Sequence, residues 1–153
     1  MPRLSRWFAR TAFAYLVVGF TIGGLILSAK AGFVDARVWV WLLPHVDILV
    51  MGWLVQLAMS MSFWILPRIR DAGRGRVELA WVSYFLLNAG LILGAGVSLA
   101  VYWYPATLMQ QAFTAGLLVQ TVAVCLYAVY VWPRILPTIT VADLKRRTEN
   151  TER

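Results

Sequence analysis

The chain has 153 residues, of which 61% are hydrophobic and only 14% are charged, and its formal net charge is +7. A water-soluble domain needs more charged residues to cover its surface, so this composition excludes an ordinary soluble protein. A nucleic-acid partner is also excluded, because the basic residues flank apolar runs and form no patch on a soluble surface. The composition predicts an integral membrane protein in contact with lipid.

Four apolar runs follow one another, each near the length of about 20 residues that an α-helix needs to cross a bilayer. They cover residues 11–28, 45–66, 79–101 and 108–132, and none contains Lys or Arg. The first run exceeds the apolar core of a signal peptide, so we expect it to remain as an anchor. Because backbone groups in lipid must be satisfied internally, the runs predict helices. We therefore expect an all-α, four-helix membrane bundle over residues 1–137 and a polar tail over residues 138–153.

The basic residues lie mainly on one side of this predicted bundle. Twelve of the fourteen Lys and Arg residues precede the first run, separate the second from the third, or follow the fourth. Only Lys30 and Arg37 lie in the other two connections. Since basic loops stay on the cytoplasmic side of a membrane, both termini are predicted to be cytoplasmic in a bacterial inner membrane. His45 would then lie near the outer face.

Two features of the apolar runs concern packing. Gly90-x-x-x-Gly94 in the third run is a pattern of small residues that lets helices approach closely, within one bundle or between protomers. Cys125 is the only cysteine, so neither a disulfide framework nor a thiolate metal cluster is expected. We interpret Cys125 as a small apolar packing residue.

His45 is the only histidine, and it follows Pro44 where the second apolar run begins. Positions i, i+3, i+4 and i+7 of a helix share a face, which places five residues below the imidazole: Ile48, Leu49, Gly52, Gln56 and Met59. Gly52 would leave room for a flat macrocycle, with iron bonded to the imidazole. The alternative is an interfacial histidine bonded to water, headgroups or a loop carbonyl. Asp47 lies in the first turn of this helix, where a carboxylate interacts favourably with the positive end of the helix dipole. It could alternatively orient the histidine or carry protons at the membrane surface.

The stretch "PHVDILVMGWLVQLAMSMSFWILPRI" resembles the second transmembrane helix of the catalytic subunit of haem–copper oxidases and nitric-oxide reductases. In that superfamily, a histidine at the outer end of this helix is an axial ligand of the low-spin haem. The residues that match the pattern are His45, Gly52, Trp53, Pro67 and Arg68. The resemblance covers only the first four transmembrane helices of the family. It implies that His45 binds the iron of a haem, b-type rather than covalently attached.

The chain departs from that family because it has no second histidine. It therefore cannot by itself hold the binuclear centre, and we do not expect it to be an oxygen-reducing or nitric-oxide-reducing enzyme. What remains is a single haem. Its other axial ligand would be His45 of a second copy in a dimer, Met109, a side chain of a partner, or nothing. Arg37 and Lys30 are the basic residues available for the haem propionates.

The leading hypothesis is a haem-binding membrane protein that serves electron transfer, gas sensing or a respiratory accessory role. It would act as a homo-oligomer or within a larger respiratory complex. The alternative is a cofactor-free small structural subunit or assembly factor of a larger membrane complex. A transporter or channel is disfavoured, because only four polar residues stand where they could line a path: Asp47, Gln56, Asn88 and Gln120.

Overall fold

The computed structural model describes residues 1–67, 76–100, 106–135 and 150, and this part of the chain contains helices and no strand. The four long helices are α1 (Arg3–Lys30), α2 (Ala36–Ile65), α3 (Val77–Ala100) and α4 (Ala106–Ile135). Each contains a stretch long and apolar enough to cross a membrane. The prediction of an all-α protein with four such helices is therefore confirmed. The predicted polar tail, residue 150 apart, lies outside the described residues.

All four helices begin before their apolar runs, α3 and α4 by two residues, α1 by eight and α2 by nine. α1 begins at Arg3 rather than at residue 11, because Leu4 and Phe8 face the core while the arginines between and after them stay exposed. α2 begins with a 3₁₀ segment, Ala36–Trp41, where the sequence predicted a loop. The Asp35 carboxylate accepts a hydrogen bond of 2.8 Å from the backbone N–H of Arg37 and so caps this segment. A π-helical stretch, Ile48–Val55, then follows within α2.

Side-chain contacts define the packing order of the helices. α1 and α2 are antiparallel, since Ser5 near the start of α1 bonds Ser60 near the end of α2. α3 and α4 form a second antiparallel pair, in which the Ser83 hydroxyl donates to the Ala123 carbonyl. We call the end of the bundle that contains Ser5 the amino-terminal end, and the opposite end the His45 end. The main core lies toward the amino-terminal end, and an aromatic edge contact between Phe8 and Tyr84 (5.0 Å between ring centroids) is part of it.

Three glycines bring α3 and α4 into backbone contact. A Cβ atom added at Gly116 would lie 2.6 Å from the backbone nitrogen of Gly94 and 2.7 Å from the carbonyl oxygen of Gly90. Any side chain at this position would collide with main chain, which cannot rotate away. The prediction that Gly90-x-x-x-Gly94 serves close helix packing is confirmed, and the packing occurs within one chain.

Arg134 closes the amino-terminal end of the bundle. It is only 4% exposed, although the sequence suggested no more than a basic loop residue. Its guanidinium donates to the carbonyl oxygens of Leu66 (2.7 Å), Pro67 (3.2 Å) and Phe63 (3.3 Å). The last carbonyls of a helix have no partner within the helix. Arg134 of α4 therefore caps the carboxyl end of α2.

Candidate functional site

The face of α2 that the sequence predicted below His45 packs against α1. Along this interface each glycine accommodates a large side chain of the opposite helix. Leu49 fills the space beside Gly19. The Tyr15 ring fills the space beside Gly52, where an added Cβ atom would be 2.8 Å from Cγ of Tyr15. Tyr15 thus takes the room that the sequence assigned to a macrocycle. A porphyrin lying flat on Gly52 does not fit this arrangement.

His45 lies in the same interface, half-buried, with its imidazole against α1. A Cβ atom at Gly23 would be 2.7 Å from Cε1 of the ring. The Nδ1 atom is 2.9 Å from the carbonyl oxygen of Gly19. Since a carbonyl oxygen only accepts hydrogen bonds, Nδ1 carries the proton of this bond. In the neutral imidazole the lone pair is then on Nε2.

Nε2 of His45 is the atom of this site that can bind a ligand or a metal ion, because it has the lone pair of the imidazole. It has no hydrogen-bond partner among the described residues. Three other side-chain atoms without a partner are fully buried, namely Trp53 Nε1, Gln56 Oε1 and Gln120 Oε1, and Nε2 of His45 is not one of these fully buried atoms. Within the described ranges, no three His, Cys, Asp or Glu side chains gather in a group able to hold a metal ion.

Asp47 makes a contact that the sequence did not predict. Its side chain is 7% exposed, and its Oδ2 accepts a hydrogen bond of 2.9 Å from Nε2 of Gln120 in α4. The carboxylate therefore joins α2 to α4, and its hydrogen bond is with Gln120 rather than with the imidazole of His45. Burial of an ionisable group is costly in a membrane, and the bond gives the buried Asp47 side chain a polar partner.

Asn88 and Gln56 also join helices. The Tyr15 hydroxyl donates to Asn88 Oδ1 over 3.0 Å, and Asn88 Nδ2 donates to the Tyr84 carbonyl over 2.8 Å. Gln56 donates to the Thr11 hydroxyl. With the Asp47–Gln120 pair, these bonds engage all four residues that a transport path would have needed. These bonds indicate that the four residues stabilise contacts between helices and do not line a transport path.

The other two predicted haem contacts are less informative. Arg37 lies in the exposed 3₁₀ segment at the start of α2, and its Nε is 3.9 Å from Oδ2 of Asp35. Met109 belongs to α4, but its side chain lies outside the described part of the chain. Arg37 is thus seen beside Asp35, Met109 stays a prediction, and the site as described consists of His45 and its contacts on α1.

Sequence reasoning overlooked Gly19 and Gly23, the two residues of α1 that position the imidazole. The signal was present, because Gly19-x-x-x-Gly23 has the same spacing as Gly90-x-x-x-Gly94. Such a pattern indicates that something packs closely, but it does not say what does so.

Comparison with known proteins does not assign this chain to a family. No protein-family model matches the chain, and no curated protein and no solved structure matches it. The resemblance of α2 to a helix of the haem–copper oxidases stays a prediction from the sequence.

Proposed function

We propose that the chain is a haem-binding protein of the bacterial inner membrane, with both termini in the cytoplasm and the His45 end at the outer face. The uneven distribution of Lys and Arg supports this orientation, since basic segments are retained on the cytoplasmic side. In this proposal, Nε2 of His45 is an axial ligand of a b-type haem.

One observation carries the proposal: the hydrogen bond between His45 Nδ1 and the Gly19 carbonyl. Histidines that bind metals usually donate their second ring N–H to a carbonyl or carboxylate, which fixes the tautomer and the ring orientation. Gly19 provides this acceptor, and Nε2 keeps its lone pair. The backbone of α1 thus prepares the imidazole for coordination.

The residues fit one axial bond and restrict where the macrocycle can be. Tyr15 and Leu49 fill the interface between α1 and α2, so the macrocycle does not occupy that interface. A bound haem supplies a one-electron redox centre when six-coordinate, or a gas-binding iron when one position is open. The candidates for the other axial ligand remain His45 of a second copy, Met109 or a side chain of a partner.

The second candidate function is a cofactor-free structural subunit or assembly factor of a larger membrane complex. The observation that favours it is the same glycine packing. The imidazole fills a space beside Gly23 just as Tyr15 fills the space beside Gly52, and neither contact requires a cofactor. In that case the bond from His45 to Gly19 would only tie α2 to α1.

An absorption spectrum separates the two functions. Protein purified in detergent from haem-replete cells is expected to show a Soret band, and His45→Ala is expected to lose it while keeping its helical content. The position of the band and its response to added carbon monoxide would report whether the sixth position is filled. Colourless wild-type protein would end the haem proposal and leave the structural one.

A matched pair of glycine variants gives this test a control. In Gly23→Val the new side chain displaces the imidazole and breaks its bond to Gly19, so haem affinity is expected to fall about 10- to 100-fold. The bundle should survive, because the atom in the way belongs to a side chain that can turn. Gly24→Val adds the same side chain where nothing lies within 4 Å and should bind haem normally. Equal spectra for the two variants would argue against an iron–His45 bond.

A further inference from the structure

α1 presents three arginines on one exposed face at the amino-terminal end of the bundle. Arg3, Arg6 and Arg10, which we call the arginine face, follow one another at spacings of three and four residues, so they lie on the same side of the helix. All three are exposed, whereas Leu4 and Phe8 on the other side of α1 are buried in the core. The arginine face is therefore directed away from the other helices.

The positive charge of the arginine face is not compensated within the described part of the chain. None of its three side chains forms an ion pair there, and the first turn of α1 has neither an acidic residue nor a capping side chain. The amino-terminal end of a helix is already the positive end of its dipole. Cations in the first two turns therefore oppose the dipole, and an anion bound beside them would relieve both.

Exposed tryptophans mark this end of the bundle as a membrane boundary. Trp7, Trp64 and Trp132 belong to three different helices, and all three are exposed toward the amino-terminal end. Tryptophan is enriched where hydrocarbon meets the headgroups. The arginine face lies in the zone that these residues mark, with Arg10 at its inner edge. Because a long arginine side chain can extend outward from such a position, all three guanidinium groups can reach headgroup phosphates.

Exposed apolar residues continue the arginine face toward the middle of the bundle. Phe13 and Val17 follow Arg6 and Arg10 at the same spacings of three and four residues, and both are exposed. A phospholipid has the same arrangement, with a phosphate at one end and acyl chains beneath it. This side of α1 therefore matches the outline of a lipid molecule in both charge and polarity.

We propose that the arginine face binds the phosphate of an anionic phospholipid, whose acyl chains lie along Phe13 and Val17. The guanidinium group presents paired N–H donors that match phosphate oxygens. Net charge selects the lipid, since a zwitterionic phospholipid has the same phosphate but brings a headgroup cation toward three other cations. Charge complementarity is the reason for assigning an anionic lipid as the occupant.

The lipid proposal is independent of the haem proposal. His45 packs on Gly19 and Gly23 at the opposite end of α1, so neither site uses a residue of the other. A colourless protein can still select anionic lipid, and a protein without lipid selectivity can still bind haem. The two proposals therefore fail separately.

Fluorescence quenching in bilayers of phosphatidylglycerol and phosphatidylcholine tests the proposal. Cys125, which is exposed and not packed in the bundle as the sequence suggested, is replaced by alanine, and a fluorophore is attached to Phe13→Cys or Val122→Cys. The two positions are 54% and 52% exposed. Each is five residues from a member of the ring contact between Phe8 and Tyr127, so the two labels lie at similar depth. Val122 belongs to α4 and serves as the control.

Acyl-chain spin labels are carried by one lipid or the other in equal mixtures of the two. At Phe13→Cys, phosphatidylglycerol should quench with a binding constant about five-fold or more above that of phosphatidylcholine, the effect of one arginine near an anionic lipid. At Val122→Cys the two lipids should quench equally. Arg6→Gln should lower the preference at Phe13→Cys about five-fold. Arg76→Gln removes the same charge from the exposed start of α3, at the same end of the bundle, and should leave the preference unchanged.

Three results would overturn the lipid proposal: equal quenching by both lipids at Phe13→Cys, the same preference at Val122→Cys, or equal effects of Arg6→Gln and Arg76→Gln. Inorganic phosphate, compared with sodium chloride at the same ionic strength, separates a lipid from a free anion. The preference should persist in phosphate, because the acyl chains hold the lipid in place. Its loss in phosphate alone would show that the arginine face takes a free anion and would also overturn the proposal.

Discussion

Replacing Gly116 by alanine is expected to destabilise the bundle by about 1–3 kcal/mol, the usual effect of overpacking. The added methyl group would meet the backbone of Gly90 and Gly94 at less than 3 Å, so α3 and α4 would have to separate. The expected sign is informative, because alanine is intrinsically the better helix former by about 1 kcal/mol. Unfolding of the purified protein in detergent, followed by circular dichroism, measures the change.

Gly24→Ala is the control for this substitution. Gly24 has nothing within 4 Å of its missing Cβ, so the same methyl group should be neutral or slightly stabilising there. A Gly116→Ala variant as stable as Gly24→Ala would show that α3 and α4 do not pack as closely as the structure indicates.

Replacing Arg134 by alanine is expected to cost at least about 3 kcal/mol, since it leaves three carbonyl oxygens without their donor and each such loss costs about 1–3 kcal/mol. The guanidinium donates to three carbonyls at the end of α2 and to the Tyr130 hydroxyl, and it lies 5.8 Å from the centre of the Phe63 ring. Without it, the carboxyl end of α2 loses its cap and should fray. Arg134→Lys should retain part of the stability, because an ammonium lacks the planar fork of donors.

Arg10→Ala is the comparison for Arg134. Arg10 lies exposed on α1, on the same side of the bundle, and its loss removes the same charge without uncovering a carbonyl. Hydrogen exchange at the end of α2 should rise in Arg134→Ala and stay unchanged in Arg10→Ala. Equal effects of the two substitutions would show that Arg134 does not cap α2 and contributes only its positive charge.

The helices were predictable because hydrophobic length is a property of local sequence. Their ends were less so: α1 starts at Arg3, where charged residues alternate with buried ones, and a count of apolar residues passes over such a turn. The 3₁₀ start of α2 depends on the Asp35 carboxylate, which accepts a hydrogen bond from the backbone N–H of Arg37. The sequence contains this aspartate but does not reveal the bond.

The candidate site was half predictable for a related reason. Helical periodicity correctly grouped His45, Leu49 and Gly52 on one face of α2, but periodicity does not tell what covers a face. α1 covers it, through the spaces at Gly19 and Gly23. The partner of Asp47 is Gln120, a residue far away in the chain, so no local pattern could reveal the pair.

Imidazole rescue of a His45→Gly variant tests the central claim most directly. The variant removes the proposed ligand and leaves a space of the same shape beside Gly19 and Gly23. The account predicts that the variant purifies without a Soret band and regains it when haem and free imidazole are added together. A wild-type protein without haem, or a variant whose haem spectrum equals that of the wild type before imidazole is added, would contradict it.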